Sequence, residues 1–408
     1  MSRIVLGVSG GVAAYKAGLL LRAFTEAGHD VRVVPTPSAL HFVGAATFEA
    51  LSGNPVTTDV WSDVDEVAHV RIGQTADLVV VAPATADLLA RAAAGRADDL
   101  LTATLLTAHC PVVFVPAMHT EMWLHPATQE NVATLRRRGA VVLPPAIGRL
   151  TGPDSGPGRF PEPPDIAALA AVVLSAGAGA LPHDLSGRRV VISAGGTREP
   201  LDPVRYLGNR SSGKQGWALA RVAAARGAEV VLVAANVELP APFGVQVVPV
   251  GTAEELRTAM LAEAPGSDAV VMSAAVADFR PATVAGAKLK KGSAGEPDSV
   301  PLVRNPDVLV ELVAQRRPGQ LVVGFAAETG DDEADVLTHA RAKLARKGCD
   351  LLVVNDVSGG QVFGRAENAV VVLAADGAAT EIPLGPKDTI AAGIWDAIAP
   401  QLHRATQP

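Results

Sequence analysis

The sequence predicts an α/β protein of two three-layer domains, each a mostly parallel sheet between helices. Three observations predict it. The chain has 408 residues, more than one ordinary domain holds. Two segments open alike, with a strand-length apolar run feeding directly into small residues: Arg3–Val8 into Ser9-Gly10-Gly11, and Arg188–Ser193 into Ala194-Gly195-Gly196-Thr197. Hydrophobic residues make up 49% of the chain but aromatics only 4%, so the core is mostly Ala, Val and Leu, a composition that suits helices packed closely on parallel sheets.

Each element follows from the alternation. After the first glycine turn a helix is expected over Val12–Ala27, its apolar part beginning at Leu19. Short apolar runs at Val31–Val34, Leu78–Ala82, Val112–Val115 and Ala140–Leu143 read as strands. Helical stretches fall between them at Ala86–Ala94, Leu100–Ala108 and Asn131–Arg138. Strands alternating with helices imply right-handed crossovers and a parallel sheet. Gly148–Pro164 is dense in Gly and Pro and is expected to be irregular, a linker or a functional loop. A helix over Asp165–Ala176 and a linker over 177–187 follow, dividing the chain into domains 1–176 and 188–408. In the second half, strands are expected at Glu229–Ala234, Ala269–Ser273, Leu321–Ala326, Leu351–Val354 and Ala369–Ala374. Its main helices are expected at Ser211–Arg226, Ala253–Ala264, Asp307–Arg316 and Glu333–Lys347.

Composition excludes several classes. A net charge of −7 argues against a general nucleic-acid binder. The two cysteines, Cys110 and Cys349, are too far apart in sequence for a disulfide framework or zinc-type spacing, which fits a reducing compartment. No apolar run is long enough to span a membrane, and the first residues start a strand rather than a signal peptide, so a cytoplasmic location is expected.

The chemistry-bearing motifs sit where strands end. Gly7–Gly11 lacks the G-x-G-x-x-G spacing, so it reads equally as a phosphate cradle or as a bare βα turn. Pro83-Ala84-Thr85 and Pro116-Ala117-Met118-His119 follow two further strands, and ligands of open α/β sheets bind at such ends. His69 by itself is more often structural, although imidazole suits proton transfer near neutral pH. In the second half, Asn209-Arg210-Ser211-Ser212-Gly213-Lys214 gathers hydroxyls, an amide and basic groups at a helix start, without the P-loop spacing. Lys288-Leu289-Lys290-Lys291 is a lysine cluster that could face solvent or an anionic transition state. Asp278, at a strand end, is suited to Mg²⁺ held against phosphate oxygens.

Taken together, GGVAAYK (Gly10–Lys16), the His69 segment, APATADLLARAAAG, DDLLTAT and PAMHTEMW make the first half resemble the flavin-dependent cysteine decarboxylases. With TREPLDPVRYLGNRSSGKQG, SAAVADFRP, KLKK, RNPDVL, GFAAET and NDVS, the entire chain resembles the bifunctional phosphopantothenoylcysteine decarboxylase/phosphopantothenate–cysteine ligase family of coenzyme A synthesis. The resemblance implies two Rossmann-like domains, a flavodoxin-like flavoprotein domain and then a ligase domain. It implies FMN held by Ser9, Gly10, Gly11, Thr36, Ser38, Ala84, Thr85, Asp98, Thr102 and Met118, with His69 and His119 catalytic and Arg159 on substrate. FMN takes a hydride as the cysteinyl thiol becomes a thioaldehyde, CO₂ leaves, and the reduced flavin returns the hydride to give 4′-phosphopantetheine.

For the ligase half the resemblance implies CTP, cysteine and 4′-phosphopantothenate as substrates, Mg²⁺, and an acyl-cytidylate intermediate. Asn209, Lys288 and Lys290 are the implied catalytic residues. The nucleotide would lie among Gly196, Asp278, Phe279, Lys288, Asn305, Pro306, Asp307, Phe325, Lys343 and Lys347, with Asp278 on the metal. Arg205, Asn209, Ser211, Ser212 and Ala275 would hold substrate, and Asn355 and Asp356 would shape that site or a dimer contact. Homo-oligomers are implied: decarboxylase trimers, ligase dimers and dodecameric shells. Two positions depart from the family pattern. His119 stands where the family has Asn, and Gly152 stands where its substrate loop carries a proton-donating Cys. These motivate an alternative in which the first half is a flavin-binding regulatory or assembly module. A third reading, a nucleotide-binding scaffold without chemistry, is opposed by the polar residues at 209–214 and 288–291.

Overall fold

The computed structural model describes residues 1–58, 67–150, 152, 154–289, 299–328, 336–356 and 367–405. The chain divides into two compact units, Met1–Asp184 and Leu185–Pro408.

The first unit is built on strands β1 (Arg3–Val8), β2 (Asp30–Pro35), β3 (Leu78–Ala84), β4 (Val112–Pro116) and β5 (Val141–Val142). They form one all-parallel sheet in the order β2-β1-β3-β4-β5. β3 is buried along its whole length, as a strand covered on both faces must be. Val5, Val79, Val81 and Phe114 of the sheet pack with Leu88, Leu100, Leu101 and Val132 of the helices. The chain leaves β1 toward β2 and then crosses back to β3, so the strand order reverses between β1 and β3. Loops at that reversal splay apart and leave a crevice at the strands' carboxyl ends.

Two expectations change here. The helix expected over Val12–Ala27 is split: Val12–Lys16 is a 3₁₀ turn and the α-helix runs Ala17–Glu26. Gly11 is extended, and its carbonyl accepts the Ala14 N–H at 2.9 Å, closing a tighter turn before the helix starts. The Gly/Pro-dense segment is not irregular either. β6 (Ala146–Arg149) and β7 (Ser155–Arg159) pair antiparallel, and a helix begins at Pro163. The segment lacks apolar alternation, so its strand character was hidden; its backbone pairs across a short turn, Leu150 N–H to the Asp154 carbonyl at 2.9 Å. Within the expected linker 177–187, Ala180, Leu181 and Leu185 are buried.

The second unit carries an eight-stranded sheet. Its strands are β8 (Arg189–Gly195), β11 (Glu229–Ala235), β12 (Val245–Val250), β13 (Ala269–Met272), β16 (Leu321–Glu328), β17 (Leu351–Asp356), β18 (Glu367–Ala374) and β19 (Ala379–Pro386). The order is β12-β11-β8-β13-β16-β17-β18-β19, parallel up to β17 and antiparallel at its last two pairings. Between these lie two short ribbons, β9 (Arg198–Pro200) with β10 (Tyr206–Gly208), and β14 (Phe279–Pro281) with β15 (Leu302–Arg304). The order reverses between β8 and β13, beside the second glycine turn. The helix expected from Ser211 begins at Lys214, because Gly213 takes a left-handed φ of 73° and holds Ser211 and Ser212 outside it as a loop. The helix expected at Glu333–Lys347 is Val336–Lys347, with 333–335 outside the described residues. β18, β19 and the helix Lys387–Ala405 complete the unit, with Trp395 donating its indole N–H to the Leu219 carbonyl at 2.9 Å.

Candidate functional sites

At the β1/β3 reversal of the first unit lies a cavity of about 940 Å³. Its floor is made by backbone ends tied together through Ser9. The buried Ser9 hydroxyl donates to the Pro83 carbonyl at 2.7 Å and accepts the Thr85 N–H at 2.9 Å. Its one proton is therefore committed to the protein. Gly10 is pressed against Ser38: a Cβ there would stand 2.4 Å from Ser38 Cβ. Thr36 caps the turn that carries Ser38, and Thr85 caps the helix Ala86–Ala94, whose first turn lines the cavity. The roof comes from the β6–β7 hairpin. Met118 N–H donates to the Gly158 carbonyl at 3.0 Å, and the Arg159 guanidinium reaches Glu162 at 2.6 Å, which also binds Lys16 at 2.9 Å.

Of the residues implied for FMN, Ser9, Gly10, Gly11, Thr36, Ser38, Thr85 and Met118 line this cavity, as do His119 and Arg159. Ala84, Asp98 and Thr102 do not. Ala84 is buried at the end of β3, where its carbonyl accepts the Ala117 N–H. Thr102 and Asp99 form a capping box at the start of the helix Leu100–Thr107. Asp98 and Asp99 hold Arg91 at 2.8 and 2.5 Å, and it is Arg91 that lines the cavity. Lys16, Arg91 and Arg149 are lining cations that motif reading left unassigned. The signal for Lys16 stood within GGVAAYK; for Arg91 it was the nearby acidic pair, legible only as an ion-pair partner.

His69 lies on the helix Ala68–Thr75 and does not line the cavity. Its Nδ1 is buried with no hydrogen-bond partner among the described residues. His119 precedes the short helix Thr120–Leu124 with its side chain 48% exposed, 4.0 Å from Glu121. Gly152 is at the hairpin tip, its carbonyl accepting Arg149 Nε at 3.0 Å. Burial pushes the thiols of Cys110 and Cys349 up, and neither lines the cavity.

In the second unit, Asp278, Phe279, Asn305, Pro306, Asp307, Phe325, Lys343 and Lys347 come together around one cavity of about 480 Å³. The Asn305 side-chain amide donates to the Ala277 carbonyl at 2.8 Å, and its backbone N–H donates to the Asp278 carbonyl, also at 2.8 Å. Lys347 is ion-paired with Asp307. A smaller cavity of about 170 Å³ adjoins it, sharing Ala274 and Phe325, and is lined by Ser211, Ser212, Ala275 and Asn355. Asn209 donates its side-chain amide to the Val276 carbonyl at 3.0 Å, which fixes it beside the reversal point.

Asn209 itself lines neither cavity, and three further expected residues also stand outside them. Gly196 lines neither cavity; its place is under the Asn209–Ser211 loop, where a Cβ would stand 3.0 Å from the Asn209 carbonyl oxygen. Arg205 is committed to Asp202 at 2.6 Å and to the Leu289 carbonyl at 2.8 Å. Lys288 is exposed and lines neither cavity. Lys290 lies outside the described residues. Asp356 lies on β17, and nothing about its side chain is described. Among the described residues no group of three metal-ligating side chains occurs, and no helix is long and apolar enough to cross a membrane.

The fold and cavities define a fused pair of α/β ligand-binding units, each with its site at the carboxyl ends of parallel strands. Residues 1–174 match the Flavoprotein family model, and residues 185–402 match the DNA/pantothenate metabolism flavoprotein C-terminal domain. The chain is 65% identical over 403 residues to the coenzyme A biosynthesis bifunctional protein CoaBC of Mycolicibacterium smegmatis, covering 97% of each. It is 43% identical over 403 residues to the protein of that name from Vibrio cholerae, covering 98% of each. A solved C-terminal domain of such a protein is 35% identical with a TM-score of 0.46, covering 54% of this chain and 99% of that one. A PPC decarboxylase mutant is 34% identical with a TM-score of 0.41, covering 43% and 99%. The chain belongs to the CoaBC family of bifunctional coenzyme A biosynthesis proteins.

Proposed function

We propose that this chain makes 4′-phosphopantetheine in two consecutive reactions, ligation in the second unit and decarboxylation in the first. One observation carries the reading: each of the two family-matched regions has a cavity at the carboxyl ends of its parallel strands, lined by motif residues of the matching activity.

In ligation, the carboxylate of 4′-phosphopantothenate attacks the α-phosphorus of CTP, and pyrophosphate leaves. The amine of cysteine then displaces CMP from the acyl-cytidylate. The larger cavity takes the nucleotide, with Asn305 held open to it by its bonds to 277 and 278. Asp278 fits Mg²⁺, which commonly takes one or two carboxylates and completes its shell with phosphate oxygens and water. Asn209 positions the acyl-cytidylate, and the lysine segment at 288–290 offsets its charge.

In decarboxylation the first cavity fits FMN. It offers the backbone of 9–11, Ser38, Thr85 and a helix N-terminus for a phosphate. When bound, FMN supplies the hydride acceptor and donor that make the carboxylate a leaving group. Arg159, with Lys16 sharing its partner Glu162, brings positive charge to the acid substrate. His119 lines the cavity and can donate the proton that the family's loop cysteine donates. His69 completes the site from a neighbouring subunit in a homo-oligomer, which accounts for its absence from the lining. The reactions belong to the cytoplasm.

The test is the whole reaction. Purified chain, CTP, Mg²⁺, cysteine and 4′-phosphopantothenate should give CMP, pyrophosphate, CO₂ and phosphopantetheine by mass, from a protein with a flavin spectrum. Accumulation of 4′-phosphopantothenoylcysteine without CO₂ would sink the decarboxylase half; absence of CMP would sink the ligase half.

A further inference from the structure

The cations Lys16, Arg91, Arg149 and Arg159 line the flavin cavity, and acids already answer three of them. Lys16 and Arg159 share Glu162 at 2.9 and 2.6 Å. Arg91 is held by Asp98 and Asp99, with Asp87 3.6 Å away. Arg149 differs. Among the described residues it has no ion-pair partner, and its side chain is bonded only through Nε, to the Gly152 carbonyl at 3.0 Å. That bond sets the plane of the guanidinium and leaves both Nη groups open. Paired N–H donors of this kind form the fork that grips two oxygens of one anion.

The hairpin holds Arg149 in place. Arg149 pairs with Ser155 across β6 and β7, and β7 sits close on the segment beneath it. A Cβ at Gly156 would stand 2.4 Å from Thr120 Oγ1, and one at Gly158 2.3 Å from the Met118 carbonyl oxygen. Arg149 is exposed on this roof, whereas Ser9 on the floor is buried. The acid substrate of the decarboxylation has two anionic ends, and they make opposite demands. The carboxylate loses its charge as CO₂ leaves, so a cation gripping it stabilises the ground state more than the transition state and slows the step. The phosphomonoester takes no part in the chemistry, so a contact to it tightens binding without that penalty. It carries a charge of about −1.5 to −2 near pH 7. An uncommitted fork on the exposed roof suits this remote end.

We infer that Arg149 grips the phosphomonoester of the acid substrate in the decarboxylase unit, and so sets the preference for phosphorylated over unphosphorylated pantothenoylcysteine. The inference rests on the decarboxylase reading and extends it to substrate selection.

The experiment compares full-length wild type with Arg149→Met and Arg149→Lys, all loaded with flavin. CO₂ release by wild type from phosphopantothenoylcysteine first establishes the decarboxylase reading on its own. Arg149→Met should raise KM for that substrate about ten- to a hundredfold, the loss of a charge-assisted contact, with kcat unchanged. KM for pantothenoylcysteine, which lacks the phosphate, should not move, so the preference collapses. Arg149→Lys should recover part of the loss, because it keeps the charge but not the fork. Binding of the decarboxylated thiols isolates the phosphate, since neither carries a carboxylate. By calorimetry, Arg149→Met should weaken 4′-phosphopantetheine by a similar factor and leave pantetheine unchanged. The same calorimetry tests Arg149 if wild type releases no CO₂, an outcome that sinks the decarboxylase reading alone. Flavin content, melting temperature and CMP formation should match wild type. Equal KM rises for both substrates, a fall in kcat at constant KM, loss of flavin, or unchanged binding of 4′-phosphopantetheine would overturn the inference.

Discussion

Asp202 shows how one buried carboxylate can organise a reactive segment. Its side chain has no exposed surface, and it accepts the backbone N–H groups of Val204 at 2.8 Å, Arg205 at 2.9 Å and Leu289 at 3.1 Å. Arg205 grips the same carboxylate and also donates to the Leu289 carbonyl. Both polar groups of the Leu289 backbone are thus held, and Leu289 lies between Lys288 and Lys290. The hydrogen bond from Arg205, with the backbone donors, holds the Asp202 carboxyl well below its ordinary value of 3.8. A depressed carboxylate stabilises the fold in full above its unfolded pKa and loses that contribution as the pH falls toward the folded one. D202N should therefore melt lower than wild type at pH 7, and the gap should close on acidification below about pH 4. Ligation should fall while decarboxylation holds. Thermal melts at neutral and acid pH check this, and a gap independent of pH would refute it. The half-exposed guanidinium end is screened, so the backbone bonds carry most of the effect. None of this was legible in sequence, where Arg205 reads as a substrate contact. Lys387 was missed for a related reason: a cation becomes a cavity residue only when a distant helix start is folded beside Lys214. Asn305–Asp307 were legible because motif and strand-end position agree, whereas Lys343 and Lys347, on the helix Val336–Lys347, were named through the family resemblance alone.

Among the elements, the β6–β7 hairpin decides most. The parallel strands were readable from their apolar runs, since a strand covered on both faces must be apolar throughout. The hairpin was not, because it holds its shape through glycine geometry and backbone bonds rather than apolar alternation. Gly158 has φ +137°, and a Cβ there would stand 2.3 Å from the Met118 carbonyl oxygen, a backbone atom with little freedom to move. That contact seats the hairpin beside Met118 and His119 over the flavin cavity. G158A should cost about 1–3 kcal/mol locally and reduce flavin retention and decarboxylation about ten- to a hundredfold. The flavin absorbance of the purified variant and its CO₂ release read this directly, with CMP formation as the internal control. A fully yellow G158A with normal CO₂ release would show that the roof does not depend on this seat. Of the edge hairpin β18–β19, the first strand was expected at Ala369–Ala374 and the second was missed, although Asp376-Gly377, with Gly377 at φ +94°, is the kind of dipeptide that marks such a turn.

For the whole molecule, the consequential fact is that each site draws its described lining from one unit. The flavin cavity is lined by residues between Ser9 and Phe160, and the two ligase cavities by residues between Ser211 and Lys387. Each unit also has its own apolar core, one around Val79, Leu101 and Phe114 and the other around Val231, Val270 and Leu352. With separate linings and separate cores, a defect in one site should leave the chemistry of the other intact, and the thiol-bearing acid made by ligation is a small molecule that can diffuse between them. Complementation between full-length variants follows. His69→Asn should make CMP and phosphopantothenoylcysteine but no phosphopantetheine. Asn209→Asp should convert added phosphopantothenoylcysteine but make no CMP of its own. Mixed in equal amounts with CTP, cysteine and phosphopantothenate, the two should together make phosphopantetheine after a lag set by build-up of the intermediate, and the lag should lengthen on dilution. Product only from chains carrying both wild-type sites would mean that the intermediate is handed across without release, and the independence of the two units would fall with it.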